Sequence, residues 1–245
     1  MKQFFEGTLL SICFFTIFPI FYTVKEMSQE RYRYLAIMIA LSGLILGGFI
    51  ITLFFLLSPY ANALYVSVLV SVLYLFMYGF LHLEAVADII DSFYAKHGGK
   101  DAYVVVKDAH VGALGAIGAF SLVILKVAAM SALLLEGNFL GIVAVLYLSR
   151  MMATGAIYNF SFHPESTFIL SMKEALNSKS MLIFLLISLT ILFFLNHLWL
   201  LPFAVLATLA LRWWLKKYIG FLNGDGLGFI IEFNELLLLN VLIFS

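Results

Sequence analysis

Three carboxylates, Glu84, Asp88 and Asp91, are spaced by four and three residues within Gly79-Phe-Leu-His-Leu-Glu-Ala-Val-Ala-Asp-Ile-Ile-Asp-Ser92. A helix running on from the apolar stretch before it would carry all three on one face. Acids stacked on adjacent turns repel one another, and a hard cation between them removes that cost. Mg²⁺ suits such oxygen donors, using one or two carboxylates and completing its shell with water and substrate phosphates. The other side of the stretch is Leu83, Val86, Ala87, Ile89 and Ile90, so burial along one side is expected. A solvated helix end is the plainer alternative; metal binding by Glu84, Asp88 and Asp91 is the reading taken. His82, just ahead of the acids, is kept as a catalytic candidate, although a lone histidine there more often packs.

Two further segments bear chemistry. Lys107-Asp108-Ala-His110-Val-Gly112-Ala-Leu-Gly115 opens an apolar stretch, and Lys107, Asp108 and His110 are candidates to bind substrate. Its glycines, with Gly118, allow close approach of a ligand or, more plainly, of another helix. Asn223-Gly-Asp225-Gly-Leu-Gly228-Phe-Ile-Ile-Glu232-Phe-Asn-Glu235 returns Asp225, Glu232 and Glu235 to one helical face, behind glycines whose backbone N–H groups could meet a phosphate. Glu232, Glu235, Lys126 and Arg150 all fall inside apolar stretches, where an unpaired charge is expensive. The acids either accept hydrogen bonds from substrate hydroxyls or pair with the cations; the cations either take those partners or hold an anionic substrate.

The elements that must position these groups are membrane helices. Of 245 residues, 64% are hydrophobic and only 11% charged, with a mean hydropathy of +1.07, which excludes both an ordinary soluble enzyme and a disordered chain. Fourteen basic residues balance fourteen acidic ones, so nothing suggests nucleic acid. Cys13 stands alone and can form no internal disulfide. Seven apolar spans are predicted, near 34–57, 62–83, 111–135, 138–160, 181–195, 198–215 and 226–245. The connectors alternate: those holding Lys25, Arg31 and Arg33, then Lys96, Lys100 and Lys107, then Lys173 and Lys179, then Arg212, Lys216 and Lys217 would face the cytoplasm. Phe4–Thr23 is apolar but interrupted by Glu6, Thr8, Ser11, Thr16 and Pro19, and reads as a re-entrant or interfacial hairpin rather than a signal peptide. The expected architecture is all-α: one integral membrane domain over 1–245, a polytopic helical bundle of about seven transmembrane helices plus that N-terminal segment.

Taken together, these motifs resemble the cobalamin (5′-phosphate) synthases, or adenosylcobinamide-GDP ribazoletransferases. His82, Asp88 and Asp91 match the family's Gly-Gly-Leu-His-Leu-Asp-Gly-Leu-Ala-Asp-x-x-Asp-Gly, with Glu84 where the family has Asp. Lys107, Asp108, Gly112 and Gly115 meet a second motif, with His110 in place of Arg. Gly224, Asp225, Gly228, Glu232 and Glu235 meet a third, and Phe14 to Pro19 resembles an N-terminal one.

The resemblance implies that a ribose hydroxyl of α-ribazole, or of its 5′-phosphate, attacks the cobinamide-side phosphorus of adenosylcobinamide-GDP and GMP departs. Mg²⁺ on Glu84, Asp88 and Asp91 would then bridge the pyrophosphate, Lys107, Lys126 and Arg150 would steady the phosphates, and Asp225 or another carboxylate would take the hydroxyl proton. It places the chain in the cytoplasmic (inner) membrane of a prokaryote with its site facing the cytoplasm. Its expected partners are the corrinoid and ribazole substrates and membrane lipid, with a homo-oligomer or other cobalamin-assembly enzymes left open. The alternatives are a membrane CDP-alcohol phosphotransferase or polyprenyl transferase, and an ion-coupled transporter using Glu232, Glu235 and Lys126 as a relay.

Overall fold

The computed structural model describes residues 2–18, 22, 26–108 and 110–245. Pro19, Thr23 and Lys25, which figure in the N-terminal motif, the predicted hairpin and the first basic connector, lie outside the described residues.

Helices account for every regular element among the described residues. Helix α1 (Lys2–Phe15) packs along α2 (Gln29–Leu57), and α3 (Ala63–Met77) is followed by α4 (Leu81–His97) and the short α5 (Ala102–Val106). Then come α6 (Ala113–Leu135), α7 (Phe139–Asn159), α8 (Thr167–Ala175), α9 (Ser178–Phe194), α10 (Leu201–Trp214) and α11 (Gly224–Ile243). A 3₁₀ turn at Leu198–Leu200 precedes α10, and a π-helical turn at Leu215–Ile219 follows it. Five segments are each long and apolar enough to cross a membrane: α2, α6, α7, Leu198–Ile219 and α11. Two more pass only as bent pairs, α3 with α4 at 81° and α8 with α9 at 88°. Counting each pair once gives seven, the number expected from sequence.

Helix α7 lies at the centre, buried on nearly every side, and α11 is nearly as enclosed, whereas α9 and α10 turn most of their apolar surface outward. Close approach builds the centre. A Cβ on Gly43 of α2 would stand 2.2 Å from the Leu146 carbonyl oxygen of α7, so only glycine allows that crossing.

One expectation changes. The helix expected to run on through the three acids is broken, because Gly79 and Phe80 adopt left-handed backbone (φ 69° and 55°). The chain after α1 holds the break in place: the Ile17 N–H donates to the Met77 carbonyl at 2.8 Å. In the N-terminal stretch Lys2–Phe15 is helical and 16–18 are not, and Glu6 joins this helix to Arg31 of α2 at 2.7 Å. That partner holds the Glu6 carboxyl below the usual carboxylate range.

The basic connectors do meet at one end of the bundle. Arg33 Nε donates to the Ala175 carbonyl at 2.8 Å, and Lys96 Nζ to that of Ile219 at 2.9 Å. Lys173 donates to the Phe160 carbonyl, and the Arg212 guanidinium lies 4.3 Å from the Phe160 ring.

Candidate active site

The break at Gly79–Phe80 turns α4 across the first turns of α6 and α11. Ala85 and His82 would lie 2.9 and 3.3 Å from a Cβ on Gly228, and the Ala87 carbonyl 2.5 Å from one on Gly115. Helix α4 therefore packs across the first turns of α6 and α11, and its acids lie beyond the second span expected from sequence, 62–83.

Asp91 has a structural task. Its Oδ2 accepts the Gly112 N–H and its Oδ1 the Gly115 N–H, each at 2.7 Å. Gly112 is the N-cap of α6 and offers no side chain, so a carboxylate from α4 caps that helix instead. Glu84 stays exposed and Asp88 half-buried on the same helix, while Asp225 arrives from the first turn of α11. Burial, then the charges of Asp225, Glu84 and Asp91, push the Asp88 carboxyl up to about 7. Asp225 in turn lies within electrostatic reach of Lys107 and Glu84. Among the described residues no three His, Cys, Asp or Glu side chains form a ready-made metal cluster. The carboxylates gathered here are thus Glu84, Asp88, Asp91 and Asp225, of which Asp91 accepts two backbone N–H groups and Asp225 Oδ2 accepts from Asn223 Nδ2 at 2.7 Å.

The loop before α6 is divided between two partners. His110 Nδ1 lies 2.7 Å from Asp108 Oδ1, which also accepts the His110 backbone N–H at 3.1 Å, and this pairing holds the Asp108 carboxyl low. Lys107 is not paired with Asp108; its ammonium sits 5.4 Å from the centre of the Tyr103 ring. Tyr103 stacks on His163 at 3.9 Å and donates to Glu165 at 2.8 Å, tying this loop to the one before α8.

Deeper in the bundle, the four intramembrane charges take one another as partners. Lys126 Nζ lies 2.7 Å from Glu232 Oε2 and 2.5 Å from Glu235 Oε1, and Arg150 Nη1 lies 2.8 Å from Glu235 Oε2. All four side chains are at most 1% exposed. Tyr74 donates to Glu235 at 2.6 Å and accepts from Arg150 Nη2 at 3.1 Å, while Tyr78 donates to Glu232 at 3.4 Å. Two cations balance two carboxylates, which is how such charges persist in a low dielectric. Of the two roles open from sequence, the structure takes pairing. Through these pairs Lys126, Arg150, Glu232 and Glu235 join α6, α7 and α11 and so hold Asp225 relative to α4. His82 is likewise buried, 5.6 Å from the Phe15 ring and 6.3 Å from that of Tyr78.

The glycines of the third motif also acquire partners. The Gly226 N–H donates to Asn223 Oδ1 at 2.9 Å as part of the α11 cap, and Gly228 gives α4 room to pack. Sequence reasoning passed over Tyr74 and Tyr78, although their spacing of four residues puts both on one face of α3. It also passed over α8, which bears no charged or patterned signal toward the site.

Fold and site together define a polytopic helical membrane enzyme with a cluster of acids at one end. A family model described as cobalamin-5-phosphate synthase matches residues 7–243, and the chain belongs to that family. It is 27% identical over 253 residues to an adenosylcobinamide-GDP ribazoletransferase of Halalkalibacterium halodurans, covering 99% of this chain and 97% of that protein. Proteins of the same name from Desulfitobacterium hafniense (30% identical; 89% and 87% covered) and Syntrophobacter fumaroxidans (28%; 96% and 96%) are similarly related. No solved structure gives a significant match.

Proposed function

We propose that the chain joins α-ribazole, or its 5′-phosphate, to adenosylcobinamide-GDP, giving adenosylcobalamin or its phosphate and GMP. The observation that carries this reading is the meeting of Glu84, Asp88, Asp225 and Lys107 at one end of a bundle whose sequence matches the family from residue 7 to 243. A ribose hydroxyl oxygen bonds to the cobinamide-side phosphorus, the bond from that phosphorus to the bridging oxygen breaks, and GMP leaves with the oxygen. The hydroxyl proton passes to a carboxylate, for which Asp225, half-buried and beside Asp88, is well placed. Lys107 steadies the pyrophosphate by charge.

The donor set suits Mg²⁺. The ligating atoms on offer are all carboxylate oxygens, and the charges around Asp88 oppose its ionisation until a cation offsets them. Glu84 and Asp88 would hold the ion, with Asp91 keeping α6 in register beside them and Asp225 left to take the proton. When bound, the ion neutralises charge on the pyrophosphate and its leaving group. The basic face is the cytoplasmic one in this reading, which puts the site where nucleotide substrates are made.

The test is GMP release by the purified protein in lipid nanodiscs supplied with adenosylcobinamide-GDP and α-ribazole. Release should stop with EDTA and return with excess Mg²⁺. Release that persists in EDTA removes the metal from the mechanism; no release under any condition refutes the activity. Accumulation of an unchanged substrate in proteoliposomes would instead make the protein a transporter.

A further inference from the structure

A cavity of about 180 Å³ opens beside Asp225. It is enclosed by the end of α1 and by α2, α4, α8 and the start of α11. Its walls are apolar and aromatic, with Phe15, Phe168, Ile169 and Met172 prominent. Phe14 and Phe168 stand at its rim, stacked at 5.3 Å and 27° and both partly exposed. Among the described residues, Asp225 and His82 are the only ionisable side chains that line it.

We propose that this cavity receives the aromatic base of the acceptor nucleoside, and that Phe168 and Ile169 determine which base is accepted. The inference rests on the transferase reading and deepens it. Three observations carry it. Asp225 lines the cavity, so a base seated in it leaves the attached ribose beside that carboxylate, whose charge reaches Asp88. Its walls suit a flat apolar ring, which gains from aromatic faces and from leaving water. It also offers few hydrogen-bond partners, so a purine that buries its ring nitrogens and amino group there loses water contacts without replacement. An alkylated benzimidazole, the base of ribazole, brings no such groups.

The experiment compares two acceptors, α-ribazole and the α-riboside of adenine, in the nanodisc assay, and measures binding of α-ribazole alone by equilibrium dialysis. Wild type should favour α-ribazole in kcat/KM by roughly tenfold or more. Phe168→Ala should raise the KM and the dissociation constant of α-ribazole by about tenfold while leaving the KM of adenosylcobinamide-GDP within about twofold. Ile169→Asn, which adds a polar partner to the wall, should narrow the preference over adenine by roughly fivefold. Ile169 is buried, so if that variant does not fold, Phe168→Ala, with 36% of Phe168 exposed, decides alone. Unchanged α-ribazole binding in Phe168→Ala, or an equal loss with both acceptors, overturns the inference. A rise confined to the KM of the corrinoid donor also overturns it and assigns the cavity to guanine. If wild type releases no GMP the transferase reading fails, and the dialysis result still decides whether the cavity binds the base.

Discussion

Asp88 and Asp91 are three residues apart on one helix, yet their surroundings give them opposite tasks. Asp88 makes no hydrogen bond among the described residues and is surrounded by like charge. Asp88→Asn should therefore leave the fold intact, while turnover falls at least about a hundredfold because one charged oxygen donor is lost. Asp91→Asn presents an NH₂ to one of two backbone N–H groups that both need an acceptor. It should cost about 1–2 kcal/mol of stability through the lost cap and lost charge at the α6 terminus. Thermal unfolding in detergent, measured beside GMP release, separates the two variants: a lowered melting temperature belongs to Asp91→Asn. Glu84→Asp keeps the charge and should retain activity, whereas Glu84→Gln should not. Normal turnover by Asp88→Asn in a folded sample would move the acid site elsewhere.

Among the elements, α11 connects the buried charges to the surface. Glu232 and Glu235 hold it to α6 and α7 through Lys126 and Arg150, and Asp225 stands at its beginning, about two turns from Glu232. Glu235→Leu removes the carboxylate that both cations share, and leaving them under-paired should cost roughly 3–5 kcal/mol. Tyr74→Phe, which loses one donated and one accepted hydrogen bond, should cost about 1–3 kcal/mol. Leu237→Ala, on the exposed side of the same helix, should be nearly silent. Urea or thermal unfolding of the three in matched micelles checks the order; equal tolerance of all three would mean that the ion pairs contribute nothing to holding α11.

At the scale of the whole molecule, the described connectors that hold Lys or Arg gather at one end of the bundle. Lys96, Arg33 and Arg212 bond to, or lie against, chain from other connectors, and Lys173 ties its own connector to the end of α7. Single cysteines placed at Lys100, Ser178 and Lys216 in a Cys13→Ala background should react with an impermeant maleimide only from the cytoplasmic side. A cysteine at Ala61, in an exposed turn between α2 and α3, should react only from the opposite side. Labelling of any of the first three from outside would break the orientation. The acid cluster lies at the same end as the basic connectors, Asp225 being within electrostatic reach of Lys107.

Much of this was legible in the residues. So apolar a composition leaves no solution but helices in lipid, because a backbone without water must satisfy its own hydrogen bonds. The spacing of Glu84, Asp88 and Asp91 put them on one helix face, and the depth of Lys126, Arg150, Glu232 and Glu235 meant that each needed an opposite charge or a ligand. Which of these acids remain open to substrate was a tertiary matter. The turn at Gly79–Phe80 sends α4 across the ends of α6 and α11, and Asp91 is taken because the α6 cap is a glycine. The buried charges pair because α6, α7 and α11 cross where Lys126, Arg150, Glu232 and Glu235 stand. The cavity beside Asp225 exists only where α1 and α8, distant in sequence and without a charged motif, close against α11. Periodicity reports which face of a helix a side chain occupies; only the packed bundle decides what that face meets.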